Sequence, residues 1–448
     1  REDRDVIYKQ LIIDLQEAQD LCAWPNEIDA TKTVERVNKV FVKGLLARVC
    51  LQASGYAQRL DGENRLSTDP ELSKARLYPI ALQACKDVME QEGTYVALKS
   101  NFEDIFNNNG ISGDVINAGS ESLFEIGYSN NPARGRIMYT FGIKHTTADN
   151  MTTMLQGSQV GPTPTFFFDY SVKDLRRDIT CAQVQLGAEN GVTKESMLGN
   201  APFGIYVGKW DVRKMNEEWR QAAIATGNAK WMSGINVVKA RYPQVLLWYA
   251  EVMNELAGPD GDYEGSAGLT ARQALAMVHT RAFADADKAD AEKYIEAIPA
   301  TKEAMFDAIV DENAWELAGE GFRKFDLIRW NLLAEKIQEF KDTYYDELMN
   351  ESNPNYYPEK VYFNYTDETK TKIDMSSVTW YGLPEGKESS DYDDNKSFYG
   401  AEREDSKQTQ LQTNWPSISS GLVGDNVQVK NRYLLPIGST TISAANGY

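Results

Sequence analysis

The sequence predicts a mostly α-helical protein, a tetratricopeptide-like helical array carrying a loop-rich, irregular ligand-binding layer. Three observations carry this expectation. Apolar residues recur at helical spacing through residues 1–100 and again through 236–349. Glycine, proline and asparagine break up the runs from 101 to 235 and after 350. At 448 residues the chain exceeds the usual ceiling for one hydrophobic core, which suits an extended array. Residues 1–448 are read as one unit in four stretches: N-terminal helices over 1–100, a loop-rich insertion over 101–235, a helical repeat core over 236–349 and an irregular segment over 350–448.

The elements follow in chain order. Ile7, Leu11, Leu15, Ala18 and Leu21 mark a first helix that stops before Pro25. A second helix runs from about Thr33, through Val37 to Leu51, to Gly55, and a third from about Pro70, through Leu77 to Val88, to Gly93. The small residues Gly44, Ala47, Ala81 and Ala84 would let these two pair closely, in the manner of a tetratricopeptide hairpin. From Asn107 to Gly234 come short runs such as "QGSQVGPTPTFFFDY", and an irregular stretch of this size usually carries function. Helices resume at Asn236 with "VVKARYPQVLLWYAEVMNELAG", partnered by "LTARQALAMVHTRAF".

Composition narrows the function. Lys and Arg number 47 against 66 Asp and Glu, a net charge of −19. That disfavours nucleic acid and suits neutral or cationic ligands. The four cysteines show no metal-ligand spacing. The start, "REDRDVIYKQ", reads as the beginning of a helix, so the natural chain is expected to extend upstream.

One stretch concentrates charge, "ENAWELAGEGFRKFDLIRWN", Glu312 to Asn331. Read as one helix, it places Glu316, Gly319, Glu320, Arg323, Leu327 and Trp330 on a single stripe. Acids beside a packed surface need partners. The expectation is a buried ion-pair network of Glu251, Glu316, Glu320, Arg323 and Arg329, with Arg241 and Arg281 available to it. The competing reading is an acidic catalytic pair, which a neighbouring arginine would neutralise.

These residues resemble a known family. Glu320, Gly321, Arg323, Asp326, Leu327, Arg329 and Trp330 follow the pattern E-G-x-R-x-x-D-L-x-R-W of SusD/RagB proteins. Ala250-Glu251 and Asn254-Glu255, the first helix "YKQLIIDLQEAQDL", "KGLLARVCLQASGY", "DLRRD" from Asp174 to Asp178 and the C-terminal "LLPIGSTTIS" are similar to other parts of that family. The resemblance implies an outer-membrane, cell-surface protein, lipid-anchored through an N-terminal segment that lies outside this sequence. It implies non-catalytic binding of an oligosaccharide or polysaccharide, delivered to a TonB-dependent transporter of the SusC type. A peptide-binding member of the family and a helical-repeat interaction scaffold are the alternatives.

Catalytic motifs are absent: with His145 and His279 the only histidines, there is no HExxH, P-loop or G-x-S-x-G. No enzyme activity and no cofactor are expected. Aromatic residues are plentiful in the irregular parts, where a ring can stack on a sugar face. Trp210, Trp219, Trp231, Trp380 and Tyr381 are the candidate ligand contacts. "DYDDNKSFYGAE" places Asp391, Asp393, Asn395 and Glu402 at calcium-loop positions, but Lys396 occupies the glycine position and no flanking helices are evident. It is a weak calcium candidate beside the reading of a solvated acidic loop.

Overall fold

The computed structural model describes residues 3–106, 121–128, 140–147, 159–198, 204–214 and 235–397, and beyond them Trp415, Ile418, Ser419 and Tyr433. Three helices open the chain: α1 (Arg4–Leu21), α2 (Lys39–Ser54) and α3 (Lys74–Met89). Asp3, Asn38 and Ser73 cap them by accepting from backbone N–H groups of the first turn. The short pair β1 (Ala57–Gln58) and β2 (Asn64–Arg65) lies between α2 and α3. As expected, α2 packs along α3, with Ala47, Ala81 and Ala84 buried between them. Gly44 points elsewhere: a Cβ there would meet Leu123 and Val245 at 3.2 and 3.7 Å, so this glycine admits other segments to α2.

The middle of the chain holds more regular structure than its composition suggests. It contains β3 (Ser122–Ile126), α4 (Pro164–Asp169), α5 (Arg176–Thr180), β4 (Cys181–Ala182), β5 (Val184–Glu189), β6 (Val192–Met197) and β7 (Tyr206–Val207). Strands β5 and β6 form a hairpin turned by Asn190 and Gly191, both at positive φ, the pairing that a tight hairpin turn demands. Next comes β8 (Val237–Arg241), antiparallel to β3, and then α6 (Tyr242–Ala257). The helix expected from Asn236 thus starts at Tyr242, with Pro243 in its first turn; the residues before it alternate across a strand.

Helices α7 (Ala271–Arg281), α8 (Lys288–Ala297) and α9 (Lys302–Leu317) follow, and α6 packs on α7, α9 and α3. The charged stretch is two helices. Helix α9 ends at Leu317, and α10 (Arg323–Arg329) begins after a turn in which Gly319 and Gly321 take φ of 79° and 85°. These glycines supply a left-handed turn, not a stripe for helix contact. Gly319 also faces β7, where a Cβ would stand 2.8 Å from Val207 Cγ1. Helix α11 (Leu333–Met349) leads to β9 (Lys360–Tyr365), β10 (Ile373–Asp374) and β11 (Asp394–Ser397), a three-stranded sheet with β9 central.

Among the described residues, two large cores carry most of the packing. One joins α1, α2, α3, α6, α7 and α9 through residues such as Leu51, Cys85, Trp248 and Val252. The other gathers Phe167, Phe168, Tyr344, Tyr357, Phe363 and Trp380 from α4, α11 and the C-terminal sheet. Helix α9 meets both, and the candidate site lies along it.

Candidate functional site

Helix α9 carries two chemically different faces. Glu312 and Glu316, four residues apart, share the inner one. Arg176 Nη1 donates to Glu312 Oε1 at 2.5 Å and to Glu316 Oε2 at 2.9 Å, while its Nη2 reaches Asp174 at 2.7 Å. Glu316 Oε1 accepts from Arg241 and, at 2.5 Å, from Arg281. Both arginines also hold Glu121, at 3.1 and 3.0 Å. Glu320 accepts from Arg241 Nη2 and from Lys209, each at 2.7 Å. His279 Nδ1 lies 2.7 Å from Glu312.

Arg176, Arg241, Glu121 and Glu316 have no solvent exposure. Burial pushes the Glu316 pKa up, but Arg281, Arg241 and Arg176 overcome it and hold the carboxyl well below its ordinary range. Burial brings Lys209 down to about 8 against the pull of Glu320. Glu316 and Glu320 are saturated by cations, an arrangement that locks segments together, while burial raises the pKa of Glu121 against the pull of Arg281 and Arg241.

The expected network is therefore real in part and larger than foreseen. Glu251 and Arg329 form a separate buried pair at 2.6 and 2.8 Å, joined by Asp326 at 2.7 Å and by Trp330 Nε1 at 3.0 Å. Arg323 belongs to neither group. It is half-buried and donates to the Val310 carbonyl at 2.5 Å and to Asn313 at 3.3 Å. The break at Gly319 and Gly321 ends the helical register that would have aligned it with Glu320. Arg176, Asp174, Glu121, Glu312 and Lys209 were missed as members. "DLRRD" was the one visible signal, and it named a segment without a partner.

The outer face of α9 borders a cleft of about 470 Å³. Asp311, Ala314 and Ala318 form one wall, at helical spacing, and Arg323 and Leu327 of α10 continue it. Helix α4 contributes Phe166 and Asp169; α11 contributes Lys336, Glu339 and Phe340. Pro164 starts α4 and fixes where Phe166 and Asp169 emerge. At the edge stands Trp315, partly buried, whose Nε1 donates to Asp169 Oδ2 at 2.6 Å. Tyr294, 37% exposed, packs edge-on against Trp315 at 6.1 Å. Burial lifts the Asp311 carboxyl to about 6, with Lys336 opposing and Asp169 adding to the rise. The volume and the apolar lining with a few convergent polar groups fit a small-ligand site.

The five aromatic candidates divide. Trp210 is 4% exposed and packs near Phe106 and Phe141. Trp380, also 4% exposed, packs against Phe167. Both are core anchors, because a layer with little regular structure still needs apolar side chains to hold it. Tyr381 is 43% exposed, with its ring edge on Phe168; burial raises its hydroxyl pKa and Arg177 opposes the rise. Trp219 and Trp231 lie outside the described residues.

The acidic tail loop forms no calcium loop in its described part. Asp391 sits in a 3-10 turn and accepts from Glu388 N–H; Asp393 accepts from Tyr365 N–H; Asn395 lies in β11. The chain enters a strand where a calcium loop would curl around the ion. Glu402 lies outside the described residues. Among the described residues no three or more His, Cys, Asp and Glu gather as metal ligands, and no helix is long and apolar enough to cross a membrane.

Comparison with known proteins adds four findings. The model of the SusD family matches residues 179–448. The SusD-like protein P25 of Formosa agariphila is 35% identical over 106 residues, 24% of this chain and 17% of that protein. A SusD homolog from Bacteroides thetaiotaomicron superposes with a TM-score of 0.58 at 22% identity, covering 78% of this chain and 64% of that one. Surface glycan-binding protein A of the same organism, solved with laminarihexaose, gives 0.48 at 20% identity, covering 73% and 62%. The chain spans less than two thirds of the length of each of these proteins.

Proposed function

From the premise that this chain belongs to the SusD family, we propose that it is a non-catalytic surface protein that binds an oligosaccharide or polysaccharide. It delivers that ligand to a TonB-dependent transporter of the SusC type, from a lipid anchor in the outer membrane. The observation that carries the reading is the cleft beside α9. Phe166 and Phe340 in its lining offer apolar rings for the C–H face of a sugar, Trp315 is held beside the cleft by its bond to Asp169, and Asp169, Asp311 and Arg323 stand there to bond hydroxyls. The acids of the inner face are tied to arginines, which supports binding over hydrolysis.

Isothermal titration against a panel of oligosaccharides and peptides tests this. A glycan should bind, and Trp315→Ala and Phe166→Ala should each weaken it by about 1–3 kcal/mol, by analogy with base stacking. Binding of peptides alone would move the protein to the peptide-binding reading. Silence from all soluble ligands, with tight binding to a transporter barrel, would leave the interaction scaffold.

A further inference from the structure

We propose that the cleft selects sugars bearing a free amine over neutral or acidic ones; this rests on the cleft being the glycan site. The argument is a deficit of positive charge. Asp169, Asp311 and Glu339 line the cleft, with Arg323 and Lys336 as its cations. Both cations are engaged. Arg323 donates to the Val310 carbonyl at 2.5 Å and to Asn313 at 3.3 Å. Lys336 Nζ lies 2.8 Å from Glu339 and 3.6 Å from Asp311.

Asp169 is bonded instead by a neutral donor, the Trp315 indole N–H, at 2.6 Å. Asp311 has Lys336 as its nearest cation, already drawn to Glu339. Among the described residues, three carboxylates against two cations leave one negative charge uncompensated in a recess with apolar walls. Burial lifts the Asp311 carboxyl, and among its charged neighbours Lys336 and Arg323 lower it while Asp169 and Glu339 raise it. An ammonium group placed between Asp169 and Asp311 supplies the missing charge and donates charge-assisted hydrogen bonds to both. A uronate placed there meets repulsion. The net charge of −19 draws cations and repels anions over longer range.

The test is a titration near neutral pH with short oligomers of glucosamine, N-acetylglucosamine, neutral glucose and galacturonate, and with a lysine-rich peptide. The glucosamine oligomer should bind at least about tenfold more tightly than its acetylated counterpart. Asp311→Asn and Asp169→Asn should each shrink that ratio, while Asp29→Asn, at a side chain 94% exposed outside the cleft, should leave it unchanged. Equal binding of amine and acetylated sugars, or tighter uronate binding, overturns the inference and leaves the glycan reading standing. A ratio untouched by both cleft variants also overturns it, because attraction to the acidic surface then explains the preference. A peptide that binds as tightly as the amino sugar overturns the sugar assignment. If no sugar of any charge binds, the glycan reading itself falls.

Discussion

Glu316 and Asp311 lie on one helix five residues apart, and the structure treats them oppositely. Glu316 is fully buried, yet Arg176, Arg241 and Arg281 keep it ionised far below its usual range. Asp311 has a side chain 41% exposed, and its pKa rises to about 6. Exposure alone would predict the reverse order. What separates them is the number of guanidinium groups within bonding distance. The inner face of α9 spends its charges on one another; the outer face keeps a charge in reserve.

The sharpest way to break this comparison is to remove the inner acid. Glu316→Gln leaves three buried arginines short of a charge and should destabilise by about 3–5 kcal/mol in urea denaturation. An unchanged midpoint would mean that the network contributes nothing.

Glu347 gives the next largest effect and sharpens the rule, because it is buried with hydrogen-bond partners but no arginine. It accepts from Tyr357 at 2.7 Å and lies near Asn355, and burial takes it from 4.5 to about 7. In an acid with a raised folded pKa, the folded state holds a proton that the unfolded state releases. The stability it contributes is therefore present below pH 4.5 and is lost as pH rises toward 7 and beyond. Glu347→Gln should gain stability over wild type between acidic and mildly basic buffer, by on the order of 2 kcal/mol. A gap between the two melting curves that does not change with pH contradicts the shift.

Arg323→Met comes third. The expected loss is about 1–2 kcal/mol, for the bond to the Val310 carbonyl, and not the larger loss of a buried ion-pair partner. A loss as great as that of Glu316→Gln would put Arg323 back among the inner charges. The smallest effect is that of Asp311→Asn, which should change stability by less than about 0.5 kcal/mol, as at other partly exposed sites. A large loss would make the cleft wall structural.

The helices were legible because their apolar spacing is local information, as in α1, α2, α3 and α6. Strand β8 was hidden by its neighbour: "VVKAR" runs directly into α6, and one apolar stretch concealed two periods. The β5–β6 hairpin was readable from Asn190-Gly191, a dipeptide that favours that turn. Arg323 was misplaced because a helical wheel assumes an unbroken helix, and Gly319 and Gly321 break it. Of the partners of Glu316, Arg241 and Arg281 are among those the sequence offers and both bind it, whereas no local pattern pairs it with Arg176. Ring exposure was equally unreadable. Trp380 and Tyr381 are adjacent, and one is core while the other meets solvent.

The two-faced helix also bears on how such a protein diversifies. Positions 311, 314 and 318 turn toward the cleft, and 312, 313 and 316 turn inward. Selection can therefore act on recognition and on folding as nearly separate traits carried by interleaved codons. A library randomised at the first set should return folded proteins with shifted ligand preferences; one randomised at the second should return few folded proteins of any preference. The lining of the cleft can change while the same frame is inherited.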